Sequence, residues 1–155
     1  MRTLSTLLLS ASISSACGAP VDANSGGDNV RGKAVELKIG ETHDDFLSAE
    51  QGDHTDWKKF VLAEPGMYVY ALHAYWDDPS IDATVSVRDQ FGGKVFELKH
   101  VRGQAADHWP GMKLREGEFY IELVSGRGSS VYTLELTSEG GGDGGGSDGS
   151  LAPPE

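Results

Sequence analysis

Between residues 35 and 137 apolar side chains recur at nearly every second position, the rhythm of strands that bury one face. Val35, Leu37 and Ile39 alternate up to Gly40. Trp57, Phe60 and Leu62 mark a second run, which stops at the turn signal Glu64-Pro65-Gly66. Met67 to Trp76 predicts a longer strand, ended by Asp77-Asp78-Pro79. Ile81, Ala83, Val85 and Val87 alternate cleanly until the turn at Asp89–Gly93, and a strand over Val95–Lys99 follows. A polar loop through Trp109-Pro110-Gly111 leads to Met112 and Leu114, then to the turn Arg115-Glu116-Gly117. Phe119, Ile121 and Leu123 form the next strand, and Tyr132, Leu134 and Leu136 the last. Only Asp44–Gln51 suggests a helical turn.

Seven or eight short strands punctuated by Gly, Pro and Asp predict an all-β domain, a single antiparallel β-sandwich. Clean alternation implies that each sheet keeps one wet face. Cys17 is the sole cysteine, so packing rather than an internal disulfide must hold the sandwich.

The flanks follow another pattern. Residues 17–34 carry no apolar period and read as a flexible linker. Residues 138–155 hold Gly140–Gly142, Gly144–Gly146 and interspersed Asp, and read as a disordered acidic tail. Residues 1–16 look like a signal peptide: Arg2 gives a positive start, Leu4 and Leu7–Leu9 an apolar stretch, and Ser14-Ser15-Ala16 a small-residue cleavage site. That stretch is too short to stay as a spanning helix. Cys17 directly after it resembles the bacterial lipoprotein signal, which implies acylation of Cys17 and a permanent membrane anchor. Ser14 stands where that signal usually carries Leu, and Ser14-Ser15-Ala16 also suits ordinary signal peptidase, so secretion with a free thiol is the alternative. Gly18, rather than Asp, after the cysteine points to the outer membrane, with the periplasmic or surface face left open.

A formal net charge of -11 disfavours nucleic acid and anionic headgroups as partners, because phosphate binding needs clustered Lys and Arg.

Four landmarks in order carry a further resemblance: Asp53-x-x-Asp56-Trp57-x-x-Phe60; Glu64-Pro65-Gly66-Met67-Tyr68-Val69; Ile81-Asp82-Ala83-Thr84-Val85-Ser86-Val87-Arg88-Asp89-x-x-Gly92; and Leu114-Arg115-Glu116-Gly117-Glu118-Phe119-Tyr120-Ile121, with Tyr132-Thr133-Leu134 behind. Together they resemble the bacterial pre-peptidase C-terminal domain, a jelly-roll-like sandwich appended to many secreted proteins. The resemblance implies a fold and a non-catalytic role, and no catalytic domain is expected beside it.

No His-Glu-x-x-His, Gly-x-Ser-x-Gly, Cys-x-x-Cys or phosphate-cradling glycine loop occurs. His43, His54, His73, His100 and His108 are scattered singly, without ligand spacing. No cofactor is expected apart from calcium, for which loop carboxylates supply the oxygens: Asp77, Asp78 and Asp82 in one loop region, Asp53 and Asp56 before the second strand. Some relatives of the resembled family bind calcium through acidic residues near the start of the sandwich, roughly where Asp53 and Asp56 lie. The competing reading is that Asp ends strands and starts turns. The second candidate is the strand 67–76, one face of which carries Tyr68, Tyr70 and Trp76. Exposed, they form a row for stacking on sugar or peptide; buried, they are core.

The resulting expectation is a non-catalytic envelope lipoprotein whose sandwich binds a protein or glycan partner. A structural subunit of an envelope assembly is the alternative, and a hydrolase the remaining one.

Overall fold

The computed structural model of the chain describes residues 27–140. The signal-like segment, Cys17 and all but the start of the acidic tail lie outside the described residues. The chain runs from a short 3-10 turn at Arg31–Lys33 into β1 (Val35–Glu36), β2 (Thr42–Ser48) and β3 (Thr55–Trp76). β4 (Asp82–Asp89), β5 (Lys94–Lys99), β6 (Ala106–Arg127) and β7 (Ser129–Ser138) follow. The described residues contain no α-helix, so the all-β antiparallel expectation holds, with the two-residue β1, parallel to β3, as the one exception.

Two strands are far longer than the alternating pattern suggested. β3 runs straight through Glu64-Pro65-Gly66, and β6 through both Trp109-Pro110-Gly111 and Arg115-Glu116-Gly117. The turn signals mark bends instead of ends. Opposite the corner, β3 advances from Leu62 to Met67 while β6 moves only from Gly117 to Arg115. The surplus residues on β3 fold the pair over, as bulges do. Gly66 (φ 156°) and Gly117 (φ 148°) supply a backbone conformation there that side-chain-bearing residues rarely adopt. A second shift, Tyr70 to Leu72 against Met112 to Trp109, accommodates Pro110, which has no N–H for the ladder.

Folding at that corner turns one sheet, ordered β2-β7-β3-β6-β4-β5, into two layers. The halves Thr55–Leu62 and Gly117–Val124 pair with each other and carry β1, β4 and β5 along the first layer. The halves Met67–Tyr75 and Ala106–Arg115 form the second, with β7 and β2 beside them. Phe60, Val85, Val87, Phe119, Ile121 and Leu123 of the first layer share one core cluster with Leu47, Leu72, Trp76, Tyr132, Leu134 and Leu136 of the second. Phe60 and Phe119 stack at 5.5 Å.

Of the helical turn expected at Asp44–Gln51, residues 44–48 are strand and 49–51 a turn: β2 pairs along β7 from Thr42↔Glu135 to Ser48↔Ser129. The open edge of β7 offers hydrogen bonds, and the core takes Leu47, which together outweigh any local preference. The packed unit also begins upstream of the alternating pattern. Asp28 is fully buried, its carbonyl accepts from Trp57 N, and its carboxylate meets Lys58.

Candidate functional site

The second half of β3 decides which aromatic face is available. Tyr70 (5 % exposed) and Trp76 (3 %) point into the core, and Tyr68 is half-buried against it, its hydroxyl donating to Glu64 O at 2.9 Å. Trp76 donates Nε1–H to Asp107 Oδ2 at 2.8 Å, and the same oxygen lies 2.7 Å from His100 Nδ1, both partners being buried. His100 Nε2 meets Pro79 O at 3.0 Å. Tyr70 and Trp76 therefore belong to the core, Tyr68 is half-buried against it, and the three do not form an exposed row. The reason is volume: Tyr70, Leu72, Ala74 and Trp76 lie over β7 and β6 in register with Leu134, Leu136 and Met112, where the core has space to fill.

The opposite face of the same strand is the open one. It presents His73 and Tyr75, with Tyr75 41 % exposed and their rings parallel to within 5° at 6.2 Å. Across β6 stands His108, exposed, its ring stacked on His73 at 4.3 Å. Across β7, Thr133, Glu135 and Thr137 pair with Tyr75, His73 and Ala71. Asp44 of β2 accepts from Thr133 Oγ1 at 2.6 Å. Val131 (41 % exposed) continues this face past Tyr75. The result is a flat surface of rings edged by hydroxyl and carboxylate groups. Sequence alternation placed His73 and Tyr75 on one face of the strand. It could not bring His108 to them, because that needs the β3–β6 register.

The acidic residues singled out for calcium lie in two places, as the sequence suggested. Asp77 is exposed in its turn, Asp78 Oδ1 accepts from Ser80 N at 2.9 Å, and Asp82 pairs with Arg102 at 3.3 Å and Lys99 at 3.6 Å. These are turn-forming and ion-pairing roles. Asp53 and Asp56 are instead buried at the start of β3. Among the described residues, the carboxylates that converge are Asp28, Asp45 and Asp56, with oxygens within 4.8 Å of one another. Lys58, also fully buried, places its ammonium between Asp28 Oδ2 (2.6 Å) and Asp45 Oδ2. The cluster thus carries its own cation, paired with two of its three carboxylates.

Its charges are set by burial and by Lys58. Burial pushes Asp56 up to about 8, against the hydrogen bond from Tyr132. Burial likewise raises Asp28, despite Lys58. Asp45 is also disfavoured by burial, yet His43 and Lys58 outweigh that and hold it below its ordinary value. For Lys58, burial opposes the charge, and hydrogen bonds to Asp28 and Asp45 win, raising it. Tyr132 stays a neutral donor, raised well above the usual range first by burial and then by Asp56. Three of these five positions, Asp28, Asp45 and Lys58, carried no sequence signal beyond their charge.

A recess of about 390 Å³ at the sandwich rim is lined by Glu50, Asp78, Ser80, Arg102, Arg127 and Ser129 among others. Its charges are of both signs.

No family model matches the chain, and no curated protein matches it in sequence. Among solved structures, it is similar to the pre-peptidase C-terminal domain of a collagenase from Bacillus anthracis, at 16% identity and TM-score 0.54, covering 66% of this chain and 93% of that one. The periplasmic g-type lysozyme inhibitor PliG of Aeromonas hydrophila overlaps more loosely, at 9% identity and TM-score 0.42, over 68% of this chain and 96% of its own. A carbohydrate-binding module, CBM36, in complex with calcium and xylotriose follows at 14% identity and TM-score 0.38, over 64% and 92%. The first likeness establishes the fold: the chain folds like the pre-peptidase C-terminal domain that its sequence landmarks resemble.

Proposed function

We propose that this protein is a non-catalytic binding module, tethered to the bacterial envelope by a lipid on Cys17, that holds a glycan on the outer face of its β2-β7-β3-β6 layer. The observation that carries the reading is the exposed Tyr75, flanked by His73 and His108 on a flat surface edged by Thr133, Glu135 and Thr137. Aromatic rings give contact area at little entropic cost, and neighbouring hydroxyls and carboxylates take up sugar hydroxyls. The net charge of -11 selects a neutral or amino-bearing glycan over an anionic one. The similar solved structure is a C-terminal domain of a collagenase, which agrees with an accessory role.

Two measurements test the two halves. Retention of the protein on immobilised cell-wall and envelope glycans should drop strongly in Tyr75→Ala while its melting temperature stays put. Equal retention of parent and variant, or capture of an envelope protein in place of any glycan, overturns the ligand assignment. Cys17→Ser should move the protein from the membrane to the soluble fraction; a variant that stays membrane-bound overturns the tether.

A further inference from the structure

His73 and His108 are separated by 35 positions in sequence and are direct cross-strand partners in the β3–β6 ladder. Both side chains stand on the outer face, and their Nδ1 atoms approach to 3.0 Å with the rings stacked at 4.3 Å. We infer that this pair is a chelate for a divalent transition-metal ion, with copper(II) the preferred occupant.

The bite distance supports the class of ion. Imidazole nitrogens bind such metals at about 2.0–2.1 Å, so two of them at a right angle lie about 3.0 Å apart, and at a tetrahedral angle about 3.4 Å. The 3.0 Å separation, that of a hydrogen bond between the two rings, already holds both nitrogens at the spacing of neighbouring ligands around one ion. Among divalent first-row ions copper(II) binds nitrogen sites most tightly, which makes it the preferred occupant.

The surroundings suit the role. His73 Nε2 lies 3.4 Å from Thr137 Oγ1. With that nitrogen as the N–H donor, Nδ1 keeps its lone pair toward His108, the arrangement by which an outer partner orients a ligating ring. Glu135 pairs with His73 from β7 and places a carboxylate position beside the ring on the same face. His108 is exposed, so the remaining corners are open to water or to a donor from outside the chain. His100 is not available in this way, since Asp107 and Pro79 O occupy both its nitrogens. The chelate needs no glycan, and its test is run on the protein alone.

The probe is copper(II), titrated into the untagged full chain carrying Cys17→Ser so that the thiol neither binds nor reduces it. One ion per chain is expected, with a tetragonal electron paramagnetic resonance spectrum showing coupling to two imidazole nitrogens. His73→Gln and His108→Gln keep polar side chains at exposed strand positions, and melting without metal checks that both fold. Each should weaken binding about 100-fold, the advantage that a second arm at fixed distance supplies. His54→Gln, at an exposed position elsewhere, should bind as the parent does. Copper should also raise the melting temperature of the parent and of neither variant, because an ion held only by the folded ladder stabilises it. A spectrum with at most one imidazole, or equal affinity in the parent and His73→Gln, overturns the site.

Discussion

Tyr132 donates its hydroxyl to Asp56 Oδ2 at 2.7 Å, joining β7 of one layer to β3 of the other through the core. Both side chains are fully buried. Asp56 is held near 8 against an ordinary value of 3.8, so the folded protein keeps a proton that the unfolded chain releases above about pH 4. Stability from this group is therefore complete below the unfolded value and is lost as pH rises toward the folded one. The slope has a ceiling of roughly 1.4 kcal/mol per pH unit. We expect the melting temperature to fall between pH 5 and 8, and Asp56→Asn to flatten that fall while still accepting from Tyr132. An unchanged slope in the variant would place the titrating group elsewhere.

Tyr132→Phe removes the donor and leaves the Asp56 oxygen buried without it. The loss should be about 1–3 kcal/mol, the penalty of an unsatisfied buried polar group. Urea unfolding of parent and variant measures it.

Lys58 binds the upstream segment through Asp28 and the edge strand through Asp45. Lys58→Met strands both carboxylates, and a loss of about 3–5 kcal/mol is expected. A chain begun at residue 35 should likewise melt below one begun at residue 27, because it lacks Asp28. Identical melting of the two chains would show that the segment only rests on the surface.

Three aromatics of β3 should separate cleanly. Trp76→Ala and Tyr70→Ala excavate the core and should each cost about 3–5 kcal/mol. Tyr75→Ala, on the wet face, should stay within about 0.5 kcal/mol. Thermal unfolding of the three variants decides it, and a Tyr75 loss as large as that of Trp76 would reverse the assignment of faces.

Gly117 takes φ 148° at the corner where β3 and β6 fold over. A Cβ there would only touch the Phe119 ring at 3.7 Å, so backbone strain is the whole penalty. Gly117→Ala should cost about 1–3 kcal/mol. Differential calorimetry against Gly103→Ala, at a loop position with open space, separates corner strain from ordinary loop strain.

What the amino-acid pattern determined by itself was local. The period-two alternation of Val85 and Val87, of Ile121 and Leu123, and of Leu134 and Leu136 specifies strands with one buried face, because successive side chains leave a strand on opposite sides. The same rule put Tyr68, Tyr70 and Trp76 on one face and His73 and Tyr75 on the other. Which face met the core depended on the layer opposite, and only the folded sheet supplied that. Glu64-Pro65-Gly66 and Arg115-Glu116-Gly117 are turn chemistry by composition, but whether such a segment ends a strand or bends it rests on pairing beyond the segment. β2 formed because β7 had an open edge, a partner that lies far along the chain. The buried Asp28–Lys58–Asp45 group and the His73–His108 pair have the same origin: each gathers residues from separate segments, and register between strands is a property of the assembled sheet.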